Sequence, residues 1–349
     1  MAQKIEVGVL GATGMVGQQF ISRLANHPWF TLSWLAASER SAGKKYGDAA
    51  PWRLATPMPD AIRNMEVHAC VPGQGPKVVF SALDADAADI LEQEFAAAGH
   101  FILSNARSHR MDPLVPLLIP EINAAHLALL PKQREARGWK GGVITNPNCS
   151  TVVLSMALAP LRQFGLRRVS VTTMQAVSGA GYPGVPSLDI LGNIVPYIGG
   201  GEEEKIQTET CKILGPDDSS APHAVIISAQ VNRVPVIDGH TMTVSAELDS
   251  KPSPADVIAA MKAFAGRPQE LKLPTAPIPA LNVTDLINRP QPRLDVDLGG
   301  GMTVSIGRVR ECPVLTTKFV TLGHNTIRGA AGASVLNAEL MHAEGLFQP

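Results

Sequence analysis

Apolar and polar positions follow two different rhythms along this chain, and the rhythm changes near residue 149. In the first part, short apolar runs alternate with stretches of helical spacing. Residues 5–10 (IEVGVL) read as a strand, and 14–25 as a helix with Val16, Phe20 and Leu24 on one face. Residues 31–37 and 78–83 read as the second and third strands, 84–98 as a helix stopped by Gly99, and 101–104 and 143–145 as two further short strands. Apolar strands alternating with helices predict a parallel sheet covered on both faces, a Rossmann-type doubly wound α/β fold.

The second part is patterned differently. Residues 150–161 read as a helix, and the segments 169–175, 224–231, 241–248 and 302–309 alternate apolar with polar side chains. That alternation predicts an α+β region whose sheet is mainly antiparallel, with one face packed. Residues 202–214 read as a helix capped by Gly215, and 329–346 as a closing helix. The proline-dense stretch 268–292 is expected to be an extended connection or a lid. A length of 349 residues makes two domains the natural expectation.

Composition narrows the function classes. Hydrophobic residues make up 45% and charged residues 17%, which suits a soluble chain with a large core. Lys+Arg (30) and Asp+Glu (31) nearly cancel, so there is no electrostatic footprint for nucleic acid or an anionic membrane. The first residues run into a strand pattern with no leader before it, and no apolar run is long enough to span a bilayer. The cysteines at 70, 149, 211 and 312 form no CxxC pair and no disulfide framework. A cytoplasmic location is therefore expected. No His/Cys/Asp cluster has metal-ligand spacing, so no metal is expected.

Two segments carry chemistry. Gly11-Ala12-Thr13-Gly14-Met15-Val16-Gly17 lies between the first strand and the first helix, with G-x-x-G-x-x-G spacing. Glycines there let the backbone approach a pyrophosphate, and the helix N-terminus stabilises its charge. The second strand runs into Ser38-Glu39-Arg40-Ser41. A carboxylate at this place suits NAD, whereas arginine and hydroxyls suit the 2′-phosphate of NADP; Arg40 between two serines favours NADP. The second segment, Asn146-Pro147-Asn148-Cys149-Ser150-Thr151, joins a short strand to a helix. Cys149 is then expected at a helix N-terminus, where the dipole and main-chain N–H groups favour the thiolate and can hold an oxyanion.

The GATGMVG loop, the NPNCST segment and Arg233-Val-Pro-Val-Ile-Asp-Gly-His240 resemble aspartate-semialdehyde dehydrogenases. So do EEEKIQTETCKIL (202–214), RPQPRLDVDLGGGMTVSIGRVR (289–310) and NTIRGAAGASVLNAE (325–339), so the resemblance covers nearly the whole chain and is closest to the archaeal and fungal branch. N-acetylglutamyl-phosphate reductases share the fold and thiol chemistry but carry a different cysteine segment.

The resemblance implies a catalytic set of Cys149 as nucleophile, His240 as acid/base and Gln175 orienting the acyl group. It implies substrate contacts from Asn148, Arg233 (carboxylate), Glu202 (ammonium, with Glu203 and Glu204 as alternatives), and Lys205 and Arg110 (phosphate, with Arg107 as the alternative). The cofactor residues it implies are Gly11, Thr13, Gly14, Met15, Val16, Gly17, Ser38, Arg40, Ser41, Ser81 and Leu83, with Ser178, Gly179 and Asn325 near the nicotinamide. Residues 1–148 with 325–349 are then an NADP-binding domain, and 149–324 a catalytic and dimerisation domain. The implied reaction is NADPH-dependent reduction of 4-phospho-L-aspartate to L-aspartate 4-semialdehyde and phosphate, on the branch to lysine, threonine and methionine, in a homodimer or homotetramer. The rivals are an acyl reductase of malonyl-CoA or N-acetylglutamyl-phosphate type and a non-catalytic NADP-binding paralogue. The Glu202–Arg233 pair and the phosphate cations argue against a CoA substrate, and the retention of both Cys149 and His240 argues against the paralogue.

Overall fold

The computed structural model describes residues 4–216 and 221–347. The chain forms two compact units: residues 1–118, 125–147 and 330–349 in one, residues 119–124 and 148–329 in the other.

The first unit is built on six strands: β1 (Ile5–Leu10), β2 (Phe30–Ala37), β3 (Val67–Ala69), β4 (Val78–Ser81), β5 (Phe101–Ser104) and β6 (Gly142–Thr145). Their order is β3-β2-β1-β4-β5-β6, and every pair is parallel. Val7, Val9, Val79, Phe80 and Ile102 are fully buried, as expected for strands covered on both faces. Strand order reverses between β1 and β4, the place where doubly wound sheets bind their ligands. The helix Ala85–Ala98 starts on Asp84, whose side chain accepts the Ala87 N–H, and stops at Gly99 with φ 108°. The sequence pattern missed β3, whose three residues are too few to show a period.

The chain returns to this unit at its end. The helix Gly332–Ala343 packs against the helix Met15–Leu24 and against β5. Buried Glu339 stands 2.7 Å from His27 Nε2. The closing helix begins three residues later than expected, because Ile327–Ala331 forms a π-helical turn ahead of it.

The second unit holds seven strands: β7 (Leu166–Gln175), β8 (Val195–Pro196), β9 (Ile226–Arg233), β10 (His240–Leu248), β11 (Leu281–Thr284), β12 (Val304–Glu311) and β13 (Thr317–Gly323). They run β11-β12-β13-β10-β7-β9-β8, with β7–β9 and β11–β12 parallel and the other pairs antiparallel, so the sheet is mixed. The helix Cys149–Leu158 lies on β10, β12 and β13 and against the helix Glu202–Ile213. Every residue from Ser150 to Leu158 is buried, so this helix is apolar around its circumference rather than on one stripe. It gives way to a 3-10 turn, Ala159–Phe164, at Pro160, which has no N–H to continue the ladder. The helix Glu202–Ile213 ends on Leu214 in right-handed geometry, not on a left-handed Gly215. The proline-dense stretch is not simply a connection: it contains the short helix Arg267–Glu270 and β11, which pairs with β12.

One buried ion pair ties this unit together. Arg328 donates from both terminal nitrogens to the Glu121 carboxylate, at 2.7 and 2.8 Å, with both side chains at 0% exposure. It anchors the Ile327–Ala331 turn to the segment 119–124. Removing one partner leaves an unpaired buried charge, which costs about 3–5 kcal/mol. Arg328→Met should lower stability by that amount, read as a shift of the urea midpoint. The double variant Glu121→Leu/Arg328→Met should recover most of it; a double variant no better than the single one would show that the pair does not act as a unit.

Candidate active site

In the first unit a cleft of about 830 Å³ opens at the carboxyl ends of β1, β2 and β4. Gly11, Thr13, Gly14, Ser38, Glu39, Arg40, Cys70, Leu83 and Asp84 are among its lining residues. Gly11 has φ +70°, and a methyl there would meet the Ala82 carbonyl at 2.5 Å, so this glycine is required by the turn itself. Gly14 differs: the nearest atom to a methyl there is Gly11 O at 3.5 Å. The fold does not need a bare position at Gly14, but a pyrophosphate approaching the loop does. No side chain caps the Met15–Leu24 helix at Gly14, so its first turn presents main-chain N–H groups to an anion. These features fit a dinucleotide.

The other expected cofactor residues of this unit have varied settings. Met15 and Val16 form the first turn of that helix, and Gly17 is buried where the helix crosses the loop. Ser41 closes a turn onto the Ser38 carbonyl at 2.8 Å. Ser81, the last residue of β4, is fully buried and is not among the residues that line the cleft. Arg110 is 8% exposed and donates to the Asn105 carbonyl at 2.7 Å, whereas Arg107 is exposed.

In the second unit Cys149 is the first residue of its helix. Its Sγ lies 3.2 Å from His240 Nε2. Asn148 is the N-cap, and four of its hydrogen bonds organise the turn. Its Oδ1 accepts from the N–H groups of Ser150 (2.9 Å) and Thr151 (3.1 Å). Its Nδ2 donates to Glu202 Oε1 at 2.9 Å, and its own N–H donates to Glu209 Oε2 at 2.7 Å. The N–H groups of Ser150 and Thr151 are taken by Asn148, which narrows the donors that the first turn can offer an oxyanion.

Glu202 gathers the polar groups around the thiol. It is 7% exposed and accepts from Gln175 Nε2 at 3.2 Å and Lys205 Nζ at 3.4 Å as well as from Asn148. Of the three candidate glutamates it alone sits in this network. Glu203 instead accepts the Val231 N–H, and Glu204 is exposed. Arg233 is 6% exposed and donates to the Ala176 carbonyl at 2.7 Å. Burial pulls the Arg233 pKa down, opposed by the charges of Cys149 and Glu202.

His240 is fully buried, and burial, with Arg233 and His324 nearby, pulls its pKa down to about 3. The imidazole is therefore neutral at physiological pH. Asn325 Oδ1 accepts the Gly239 N–H, and its Nδ2 donates to Ser178 Oγ, both at 2.8 Å, so Asn325 and Ser178 brace the loop leading into His240. A methyl on Gly179 would lie 3.0 Å from both His240 Cε1 and Arg233 Nη1.

Sequence reasoning missed four contributors. Glu209 lies seven residues after Glu202 on one helix, hence on the same face, and that spacing was the available signal. Ala176 acts through its main chain, and Gly329 and His324 act through proximity, which leave no local signal. A methyl at Gly329 would lie 2.6 Å from Cys149 Cβ and 2.9 Å from its Cα. Gly329→Ala should therefore push the Cys149 side chain off its position. A displacement near 1 Å costs about 10²-fold in rate. We expect that loss in turnover and a parallel fall in Cys149 alkylation by iodoacetamide, with the fold retained by circular dichroism. Unchanged alkylation would show that the turn does not press on the thiol.

Among the described residues no group of His, Cys, Asp and Glu can hold a metal ion, and no helix is long and apolar enough to cross a membrane. Comparison with known proteins bears on the whole chain. Residues 6–130 match the model of the semialdehyde dehydrogenase NAD binding domain, and residues 158–328 that of the semialdehyde dehydrogenase dimerisation domain. The aspartate-semialdehyde dehydrogenase of Methanothermobacter thermautotrophicus is 52% identical over 345 residues, 97% of this chain and 99% of that protein. That of Cryptococcus neoformans is 51% identical over 362 residues, 99% of each chain. The crystal structure of the Candida albicans aspartate semialdehyde dehydrogenase with NADP superposes with a TM-score of 0.88 at 41% identity, covering 99% of this chain and 100% of that one. Full-length matches on this scale, to archaeal and fungal relatives alike, place the chain in the aspartate-semialdehyde dehydrogenase family.

Proposed function

We propose that this chain is an NADP-dependent aspartate-semialdehyde dehydrogenase, which reversibly reduces 4-phospho-L-aspartate to L-aspartate 4-semialdehyde and phosphate through a thioester on Cys149. The observation that carries this reading is the thiol's setting. Cys149 stands 3.2 Å from His240, with a buried carboxylate, Glu202, and a buried guanidinium, Arg233, in the same polar cluster. Those two opposite charges suit the ammonium and carboxylate of an amino acid; malonyl-CoA offers a carboxylate but no ammonium for Glu202. The proposal rests on the family as well, and amino-acid biosynthesis follows from the activity, here the branch to lysine, threonine and methionine.

Each side chain then has a task. Glu202 receives the substrate ammonium, with Asn148, Gln175 and Lys205 holding it in place. Arg233 binds the α-carboxylate; Ala176 takes one nitrogen of its fork and orients the rest. Gln175 steadies the acyl oxygen. Lys205 and Arg110 bind the leaving phosphate. The Cys149 thiolate attacks the acyl carbon, and phosphate leaves. NADPH, when bound, supplies the hydride that reduces the thioester. Gly11, Gly14 and the first turn of the Met15–Leu24 helix hold the pyrophosphate, and Ser38, Arg40 and Ser41 the 2′-phosphate. Ser178, Gly179 and Asn325 serve the nicotinamide end.

We propose residues 1–148 with 325–349 as the nucleotide domain and 149–324 as the catalytic and dimerisation domain. A homodimer is the minimal assembly, a homotetramer its doubling. Exposed Leu188, Leu191, Ile194 and Tyr197, on either side of β8, give the second unit apolar surface suited to a subunit contact. The scattered cysteines fit a cytoplasmic setting.

The decisive assay mixes the protein with L-aspartate 4-semialdehyde and NADP and follows NADPH formation with and without inorganic phosphate. Turnover should require phosphate and vanish in Cys149→Ala. Turnover that needs CoA in place of phosphate would replace this reading with the CoA-thioester one. The cofactor assignment has its own check. Arg40→Ala should weaken NADP binding by about 10- to 100-fold, the worth of one charge-assisted hydrogen bond, and leave NAD binding nearly unchanged. Equal effects on both nucleotides would remove Arg40 from the 2′-phosphate site.

A further inference from the structure

The loop that carries Arg110 hangs on one face of the helix Ala85–Ala98. Ser108 Oγ donates to the Ala85 carbonyl at 2.7 Å, His109 Nε2 lies 3.4 Å from the Ala88 carbonyl, and Ser104 Oγ donates to Glu92 Oε1 at 2.7 Å. Positions 85, 88 and 92 are about one and two turns apart, so the three attachments fall in a row. The last differs from the others, because Glu92 is a carboxyl group with 0% exposure. Its second oxygen, Oε2, makes no hydrogen bond among the described residues. His109 Nε2 stands 3.8 Å from it, and the Ser81 hydroxyl lies beside the carboxyl without reaching hydrogen-bond geometry. The strands β4, β5 and β6 bring no ionisable side chain to this place. Burial pushes the Glu92 pKa up to about 7, opposed by the Ser81 and Ser104 hydroxyls and by Arg110, and reinforced by Asp89. A buried carboxyl is costly to keep, so what it does for the loop matters.

Glu92 reaches Arg110 through one hydroxyl and one peptide. The Ser104 hydroxyl has a single hydrogen. With that hydrogen given to Glu92, its oxygen is left to accept the Ala106 N–H, at 3.1 Å. The carbonyl of that same peptide, Asn105 O, accepts Arg110 Nη2 at 2.7 Å. A trans peptide is planar, with N–H and C=O pointing opposite ways. Holding its hydrogen on Ser104 therefore aims its oxygen at the guanidinium. The preceding peptide is pinned as well: Ser104 O accepts the Asn146 N–H at 2.7 Å, and the Asn105 N–H donates to Ser81 O at 3.1 Å. We propose that Glu92 is a positioning residue for phosphate binding: through Ser104 and the Asn105–Ala106 peptide it fixes the direction of the Arg110 guanidinium. This inference rests on the phosphate role proposed above for Arg110.

The relay needs an acceptor at Oε1, not a charge. Oε2 is the oxygen left to take a proton, and Oε1 accepts from Ser104 whether or not Oε2 carries one. Glu92 therefore holds the loop in both protonation states. The benefit to binding is preorganisation. An arginine that must be immobilised when its ligand arrives loses about 2- to 12-fold in affinity, and a fork aimed wrongly loses its second hydrogen bond too. An arginine already held by the Asn105 carbonyl avoids both losses.

Three variants test the relay. Glu92→Gln keeps the acceptor and removes the charge, whereas Glu92→Leu and Ser104→Ala break the chain of bonds. Binding of inorganic phosphate to the NADP-loaded protein, followed by ³¹P NMR, should weaken about tenfold in Glu92→Leu and in Ser104→Ala and stay within about twofold of the parent in Glu92→Gln. NADP affinity should not move in any of them. Two breaks in one relay do the harm of one, so the double variant Glu92→Leu/Ser104→Ala should bind phosphate no worse than either single variant. Where the protein turns over L-aspartate 4-semialdehyde, the loss should appear in the KM for phosphate and not in kcat. Hydrogen exchange of the Ala106 amide needs no substrate: it should be at least about tenfold faster in Ser104→Ala than in the parent or in Glu92→Gln. Should Glu92→Leu not fold, the contrast of Glu92→Gln with Ser104→Ala decides the matter. A loss in Glu92→Gln as large as in Ser104→Ala would show that charge acts and not the relay. Ala106 exchange unchanged in Ser104→Ala, or NADP affinity falling with phosphate affinity, would make Glu92 a support of the fold alone; each of these overturns the proposal. Phosphate binding that Arg110→Ala leaves intact, with Ala106 exchange as expected, would instead overturn the phosphate role of Arg110, and this inference with it.

Discussion

Two buried carboxylates grip one asparagine, and the position of the Cys149 thiol depends on that grip. Glu202 takes the Asn148 side-chain amide, and Glu209 takes its main-chain N–H. With both ends held, Asn148 Oδ1 can only turn inward, where it caps Ser150 and Thr151. Capping of this kind contributes about 1 kcal/mol to a helix. Its larger effect here is geometric, since it sets the rotation of the first turn and so the direction of the Cys149 side chain. Both glutamates come from one helix, Glu202–Ile213, which packs directly on the Cys149 helix. Two packed helices thus act as one rigid mount.

The same arrangement poses an electrostatic problem. Glu202 and Glu209 bring two negative charges to the region, and Arg233 and Lys205 bring two positive ones. The cluster is balanced before the thiol ionises. A thiolate adds a further negative charge, which a neutral His240 does not cancel. What remains to stabilise it is the dipole of the helix N-terminus, equivalent to about half a positive charge. Fixed dipoles stabilise a charge without needing to reorganise when that charge moves from sulfur to oxygen and back.

Much of this was legible in the sequence, for reasons tied to particular residues. The glycine loop and NPNCST sit at strand-to-helix junctions, and such junctions are local features. The strand periods of the first unit are equally local, so its parallel sheet could be anticipated. Short β3 could not be, because three residues carry no period. In the second unit, alternation indicated four strands but not β8, β11 or β13, and no strand's partners. The parallel pairing of β7 with β9 is a long-range choice, and no side-chain pattern announces it. The acidic run at 202–204 was ambiguous because all three glutamates share a local context. Burial separates them, leaving Glu202 inside, Glu203 on the Val231 N–H and Glu204 in solvent.

The least legible contributions are those made by backbone. Ala176 has a side chain with no chemistry, yet its two main-chain groups hold His240 and Arg233 from opposite sides. Gly329 matters because any Cβ there would collide with Cys149, and the Glu121–Arg328 pair fixes the turn that brings it close. The sulfur is therefore confined by Asn148 beneath it, His240 beside it and a bare glycine against it. Of this confinement the cysteine, the asparagine and the histidine are visible as residue types. The parts between them are hydrogen-bond directions and the absence of a methyl group, which a motif records only as an alanine and a glycine.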